Sequence, residues 1–386
     1  MTRLKASLLC IYIVSPVLMS FFLLFFNINI PLSLIAFIVI SFFIVFFGSF
    51  VGSKDSLYYL IIFLVFLGGV FLSVLYTPSS IYVHTKLFSM VNLVFCLVFL
   101  FYFKYEDFLK AIYWASIIIV VVGFIYFPVY NFYISGGGGT YQNSEVFKGF
   151  YLNFGLVAGL LFLCCFYLLD TTRKTTCILF SLFIFIVLSG ARGPLLFVIL
   201  FVLLSFILRF KDRLFSNGFI IFSFISSITI FIIMFADVNI PALERTIARV
   251  SLLFSDDKGG SVNTRFSYIL ETMDYIEEAI FFGHGFGSFG LLVVGEDSRF
   301  YPHNLVLEVW FELGLFGLVV TLTLLIFPVF LFIRTFGFKK WEYLIPYFYL
   351  FANSLKSNSL TDHRLLFLFS IIPILHTLAY NEKYDS

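Results

Sequence analysis

In a chain poor in polar residues, the stretch Pro302–Gly317, PHNLVLEVWFELGLFG, brings together His303, Asn304, Glu308 and Glu312. An unperturbed imidazole titrates near neutral pH, so a histidine at a boundary between water and lipid can take a proton from a hydroxyl as that oxygen attacks. The plain alternative for His303 is an interfacial residue that caps the helix after Pro302. Asn304, Glu308 and Glu312 follow at i, i+4 and i+8 and share one helix face. Ionisable residues within an apolar span face an interior cavity and carry function by default. Glu308, one turn in, is placed to orient or tune His303, with Glu312 deeper, whereas Tyr301 and Trp310 read as interface anchors.

Cations offer a second kind of chemistry. Arg192 stands in SGARGP, a very short link between two apolar runs, where a guanidinium pinned by helix ends can grip a phosphate; its plain reading is a snorkelling anchor. Arg265, in TRFSY, opens a helical pattern, and helix N-termini favour anions. Arg245 and Arg249, one helical turn apart, are either phosphate ligands or a solvated face. GHGFGSFG, residues 283–290, lacks the lysine and preceding strand of a phosphate-cradling loop, so its glycines read as a tight turn and His284 as a secondary candidate. Asp362, His363 and Arg364 either line the same pocket or form a polar turn, and no DxD is present to hold a metal-bound nucleotide sugar.

The elements that position these residues are membrane helices. With 61% hydrophobic residues, 12% charged residues, 58 Phe and a mean hydropathy of +1.05, no water-soluble domain could hide the apolar side chains. A net charge of +2 gives no footprint for nucleic acid, and five cysteines without CxxC point to neither disulfides nor a metal site. Basic Arg3 and Lys5 precede an apolar run with no cleavage site, which reads as a retained first helix. The spans expected are 7–26, 31–51, 57–76, 87–103, 111–130, 150–169, 175–190, 194–209, 217–236, 304–334, 342–358 and 365–380, twelve in an all-α polytopic fold treated as one integral membrane domain over 1–386.

The positive-inside rule sets the orientation. A cytoplasmic N-terminus puts Arg3, Lys5, Lys54, Lys104, Lys110, Arg173, Lys174, Arg209, Lys211, Arg213, Arg334, Lys339, Lys340 and Lys383 inside. Lys86, Lys148, Arg192, Lys356 and Arg364 then fall in short outer loops. Both termini are therefore expected inside, with the inserted loop 237–303 outside. Within that loop Leu243, Ile247, Val250 and Phe254 predict one helix; Phe266, Ile269, Leu270, Met273, Ile276 and Ile280 predict a second, capped by Asn263 or Thr264. Gly136–Gly139 read as a connector or a flap.

These pieces resemble the O-antigen ligase and O-antigen polymerase family of bacterial inner membranes. The resemblance rests on SGARGP, TRFSY and FFGHGFGSF, and above all on His303 and Asn304 followed after nine residues by Gly314-x-x-Gly317. It implies a GT-C-like bundle and a metal-independent, inverting glycosyltransferase without cofactor, working on the periplasmic side. Its donor would be a glycan on undecaprenyl pyrophosphate and its acceptor a lipid-linked repeat or lipid A core, with a chain-length regulator as a further partner. Residue by residue, Arg192 and Arg265 would hold the pyrophosphate, and His303 would activate the acceptor hydroxyl. SGARGPLL and KSNSLTDHRLLF tilt the reading towards polymerase over ligase. A flippase for lipid-linked sugars is a third reading, weakened because polar groups are scarce in the first five spans.

Overall fold

A computed structural model describes residues 2–28, 35, 38, 39, 42, 52–132, 145–208 and 260–384. Every regular element among them is helical: α1 (Thr2–Phe26), α2 (Lys54–Val74), α3 (Tyr82–Tyr102), α4 (Tyr105–Phe132), α5 (Glu145–Tyr167), α6 (Arg173–Ser189), α7 (Arg192–Leu208), α8 (Gly260–Glu278), α9 (Leu305–Phe336), α10 (Ile345–Ser354) and α11 (Arg364–Tyr384). Among the described residues seven helices, α1 to α5, α9 and α11, are long and apolar enough to cross a membrane. The spans expected at 31–51 and 217–236, the loop helix at 243–254 and Gly136–Gly139 lie almost wholly outside the described residues.

Three expectations shift. The fourth span begins at Tyr82, so Lys86 belongs to helix α3 and not to a loop. Over 342–358 the structure has 3-10 turns at Gly337–Leu344 followed by α10, which is 10 residues long. At 1.5 Å per residue α10 rises about 15 Å, half of the ~30 Å hydrocarbon layer, because KKWEYL interrupts the apolar run. Helix α8 starts at Gly260, ahead of the expected cap; Asn263 and Thr264 are both exposed, so packing does not fix the boundary there.

The chain forms two compact units, Met1–Ile38 with Glu106–Lys258, and Val39–Tyr105 with Gly259–Ser386. In the first, α5 packs against α1, α6 and α7. Lipid is as apolar as leucine, so close packing rather than the hydrophobic effect holds such helices together. Tyr126, Phe127, Phe150, Phe154 and Phe185 form a continuous ring cluster, with Phe127 stacked on Phe185 at 5.2 Å. A Cβ on Gly155 of α5 would meet Ala191 Cβ at 2.5 Å and Ser189 Oγ at 3.0 Å, so this glycine seats the α6–α7 turn that carries Arg192.

In the second unit α9 packs against α2, α8 and α11, and α11 also against α3. Tyr59 of α2 and Ser370 of α11 share a buried hydrogen bond of 2.8 Å. The start of α3 is capped from far along the chain. Asp297 accepts from Ser79 Oγ (2.6 Å) and from the N–H groups of Ser80 (2.8 Å), Ile81 (2.7 Å) and Tyr82 (3.2 Å). Burial alone raises the Asp297 carboxyl, but these bonds outweigh it and hold the group at about 2. A carboxylate is the natural partner for the orphan N–H groups and positive dipole of a helix start.

Helix α9 is broken at Gly314, which takes φ 68 and ψ −170. The break frees backbone groups that lipid could not satisfy, and the segment before α9 supplies their partners. Phe311 O accepts from His284 N (2.8 Å) and Glu312 O from Gly285 N (3.0 Å), while Leu315 N donates to Ile280 O (2.8 Å) and Phe316 N to Phe281 O (3.4 Å). Backbone lies directly on backbone here: a Cβ on Gly283 would sit 2.6 Å from Gly314 N, and one on Gly314 would overlap the Phe281 carbonyl. Gly314→Ala therefore meets both a nearly glycine-only conformation, worth about 1–3 kcal/mol, and this overlap. It should lower the thermal unfolding midpoint in detergent well beyond the Gly→Ala change at Gly149, where a Cβ meets nothing within 4 Å.

Candidate active site at the start of helix α9

The first two turns of α9 are held by a buried ionic knot. Lys86 Nζ donates to Glu308 Oε1 and to Glu312 Oε1, each at 2.6 Å, with side-chain exposure of 0–1% for all three residues. Glu308 is fully engaged: Ser359 Oγ donates to Oε1 at 2.6 Å and Leu360 N to Oε2 at 2.8 Å. Glu312 Oε2 is buried and makes no hydrogen bond of good geometry among the described residues, although the Gly287 N–H faces the carboxylate. Burying charges this deeply costs several kcal/mol per ion, which only close pairing and full hydrogen bonding offset. The knot joins α3, α9 and the link before α11.

Above the knot, outside the helix, sits His303. Its φ of 58 is left-handed, a sparse conformation for a residue with a side chain. Asn304 follows as the N-cap, its Oδ1 accepting from Val306 N (3.0 Å) and Leu307 N (3.2 Å). The His303 ring meets the Tyr301 ring at 4.4 Å between centroids, and its Nδ1 is buried without a hydrogen-bond partner among the described residues. Burial first, and then the positive charge of Arg265, pull the imidazole down to about 4, so it is neutral and free to accept a proton. Burial likewise pushes the Tyr301 hydroxyl up to about 12, with Asp362 raising it further and Arg299 and Arg265 opposing.

Arg265 lies in α8, whose register is set by packing on α9: Ile276, Phe289, Leu307 and Phe311 form a buried cluster flanked by Tyr268, Ile269 and Tyr275. Arg265 lies close enough to His303 for its positive charge to lower the imidazole. Arg192 opens α7, immediately after Gly190 ends α6 in a left-handed C-cap, and belongs to the other unit. His284 Nε2 bonds Tyr275 O at 2.7 Å and its ring packs on Phe311, so it is anchored inside the clasp around the α9 break. Arg364 is buried at the start of α11, beside buried His363. Arg245 and Arg249 lie outside the described residues.

Two features differ from the sequence reading. Glu308 directs both carboxylate oxygens at Lys86, Ser359 and Leu360, so its partner is Lys86 and not His303. Tyr301 is no simple interface anchor, because it packs against His303 with the Arg299 guanidinium 6.0 Å from its ring. Little in the sequence marks Lys86, which follows polar His84 and Thr85 at the edge of the apolar run; its burial against two acids is what distinguishes it.

The uneven hydrogen bonding of the two glutamates predicts unequal effects. Glu308→Gln replaces a carboxylate facing three donors and should cost roughly 3 kcal/mol. Glu312→Gln alters a group that Lys86 holds by one oxygen, with the Gly287 N–H as its further donor, and should cost less. Unfolding midpoints of the two variants in one detergent decide this; equal losses would contradict the assignment.

Comparison with known proteins adds a family. Residues 177–322 match the model of a family described as O-antigen ligase, and no curated protein matches the chain. The matched stretch holds Arg192, Arg265, His303, both glutamates and both glycines of the Gly314-x-x-Gly317 motif, whereas Lys86, Ser359 and Asp362 fall outside it. Over residues 177–322 this helical chain, seven of whose described helices are long and apolar enough to cross a membrane, is similar to the family described as O-antigen ligase.

Proposed function

We propose that the chain is a surface-polysaccharide polymerase of the bacterial inner membrane. It transfers a glycan from undecaprenyl pyrophosphate to a sugar hydroxyl of a lipid-linked repeat, and the site opens on the periplasmic side. In this reading 1–386 is one integral membrane domain with both termini cytoplasmic, and 237–303 is its periplasmic loop. The family domain supports ligase- or polymerase-type glycosyl transfer in general. The observation that carries the reading is a half-buried, neutral imidazole, His303, at the entry to α9 and within electrostatic reach of Arg265.

The acceptor hydroxyl gives its proton to His303 as its oxygen attacks the anomeric carbon. The bond from that carbon to the pyrophosphate oxygen breaks, and the leaving group keeps the electron pair. Arg265 stabilises the charge that collects there, the role that the family resemblance also gives to Arg192. In-line attack inverts the anomeric centre, and no metal is called on. Ligation to lipid A core is the second reading, favoured by the description of the matched family.

Deleting the gene separates the two. A polymerase loss leaves core carrying a single repeat; a ligase loss leaves bare core with lipid-linked polymer accumulating; repeats stranded on the cytoplasmic leaflet would contradict both. The pH profile tests the base. His303 stays neutral well below the 6.5 of an ordinary histidine, so kcat/KM should hold through that pH and fall only near 4. Arg265→Gln removes a charge that lowers His303 and should move this acid limb upward; an unchanged limb would break the link between the two residues.

A further inference from the structure

A chain of hydrogen bonds leads from the buried knot back to the mouth of the site. Glu308 fixes Ser359 and Leu360, and Asp362, in the same turn, accepts from Ser359 N at 3.1 Å. Asp362 Oδ2 also takes Arg299 Nη2 at 2.7 Å, with the two side chains 60% and 32% exposed. The Arg299 guanidinium then sits 6.0 Å from the Tyr301 ring, whose other neighbour is His303.

An exposed ion pair adds at most about a kcal/mol to a fold and is usually loose. This one is held by a carboxylate that is itself tied to a main-chain N–H and, through the same turn, to a fully buried ion pair. Among the described residues Arg299 uses one of its five N–H donors, at Asp362. Arg265 also acts on the Tyr301 hydroxyl, as do the carboxylates of Asp362 and of the Lys86-paired Glu308.

We infer that Arg299 is a further substrate-binding residue, positioned by Asp362, which takes an anionic oxygen of the glycan substrate beside His303. The inference rests on the reading of His303 and Arg265 given above. Phosphoryl and carboxyl oxygens share the required chemistry, and both fit the fork of a guanidinium. Two sources follow: the pyrophosphate of the lipid carrier, or an acidic sugar of the repeat.

The test uses the full-length protein in nanodiscs. Binding of undecaprenyl pyrophosphate, with undecaprenol as the uncharged control, is measured for wild type, Arg299→Ala, Arg299→Lys and Arg265→Ala. The KM of a lipid-linked repeat bearing a uronic acid is then compared with that of its neutral counterpart. If Arg299 holds the carrier, Arg299→Ala weakens undecaprenyl pyrophosphate roughly ten- to hundredfold, Arg299→Lys recovers part of it, and undecaprenol is unaffected. If it holds the glycan, the loss appears only in KM for the acidic repeat. Unfolding midpoints should stay near wild type, since the side chain is exposed. Arg299→Ala with unchanged binding and unchanged KM in every arm overturns the inference. Arg265→Ala without effect on undecaprenyl pyrophosphate instead overturns the donor reading on which it rests.

Discussion

One lysine holds the working end of this protein in place. Lys86 reaches from α3 to two glutamates a helical turn apart on α9, and each contact is 2.6 Å long and closed to solvent. Neither the lysine nor the carboxylates are tolerable alone in an apolar interior, so the pairing forces α3 and α9 into one relative position. Glu308 passes that constraint on to Ser359 and Leu360, and Asp362 passes it to Arg299. The entry into α9, with His303 strained into a left-handed turn and Asn304 capping the helix, is thereby supported from beneath.

The second constraint is the break at Gly314. A helix interrupted within the membrane must find partners for its freed carbonyl and N–H groups, and FFGHGFGSFG is the segment that provides them. Its glycines allow main chain to lie on main chain, so the spacing that superficially suggests a phosphate cradle serves a helix joint. The clasp also fixes the path by which the chain leaves α8, and so the placement of Arg265 relative to His303.

Much of this was legible in the chain. The N-terminal boundary of α9, the existence of α8 and the all-helical membrane character follow from hydrophobic period and composition, which are local signals. His303 stood out at the edge of an apolar span, and Arg265 at the start of a helical pattern, where anions are favoured. What stayed hidden depends on partners distant in sequence. Lys86 read as a loop cation because charge counting assigns lysines to loops, and only Glu308 and Glu312, more than two hundred residues away, make its burial affordable. Asp297 caps a helix that begins 215 residues earlier in the chain, and no motif announces such a cap. Tyr301 resembled any interfacial tyrosine until Arg299 and His303 were seen on either side of it.

The central claim is that His303 takes the proton of an attacking sugar hydroxyl while a pyrophosphate departs. The most direct measurement is the release of undecaprenyl pyrophosphate from a purified lipid-linked repeat by the protein in proteoliposomes. Wild type should release one undecaprenyl pyrophosphate for each glycosidic bond formed, and an equally folded His303→Ala protein should fall by at least about a hundredfold while still binding the donor. Bond formation by His303→Ala at the wild-type rate would contradict the claim.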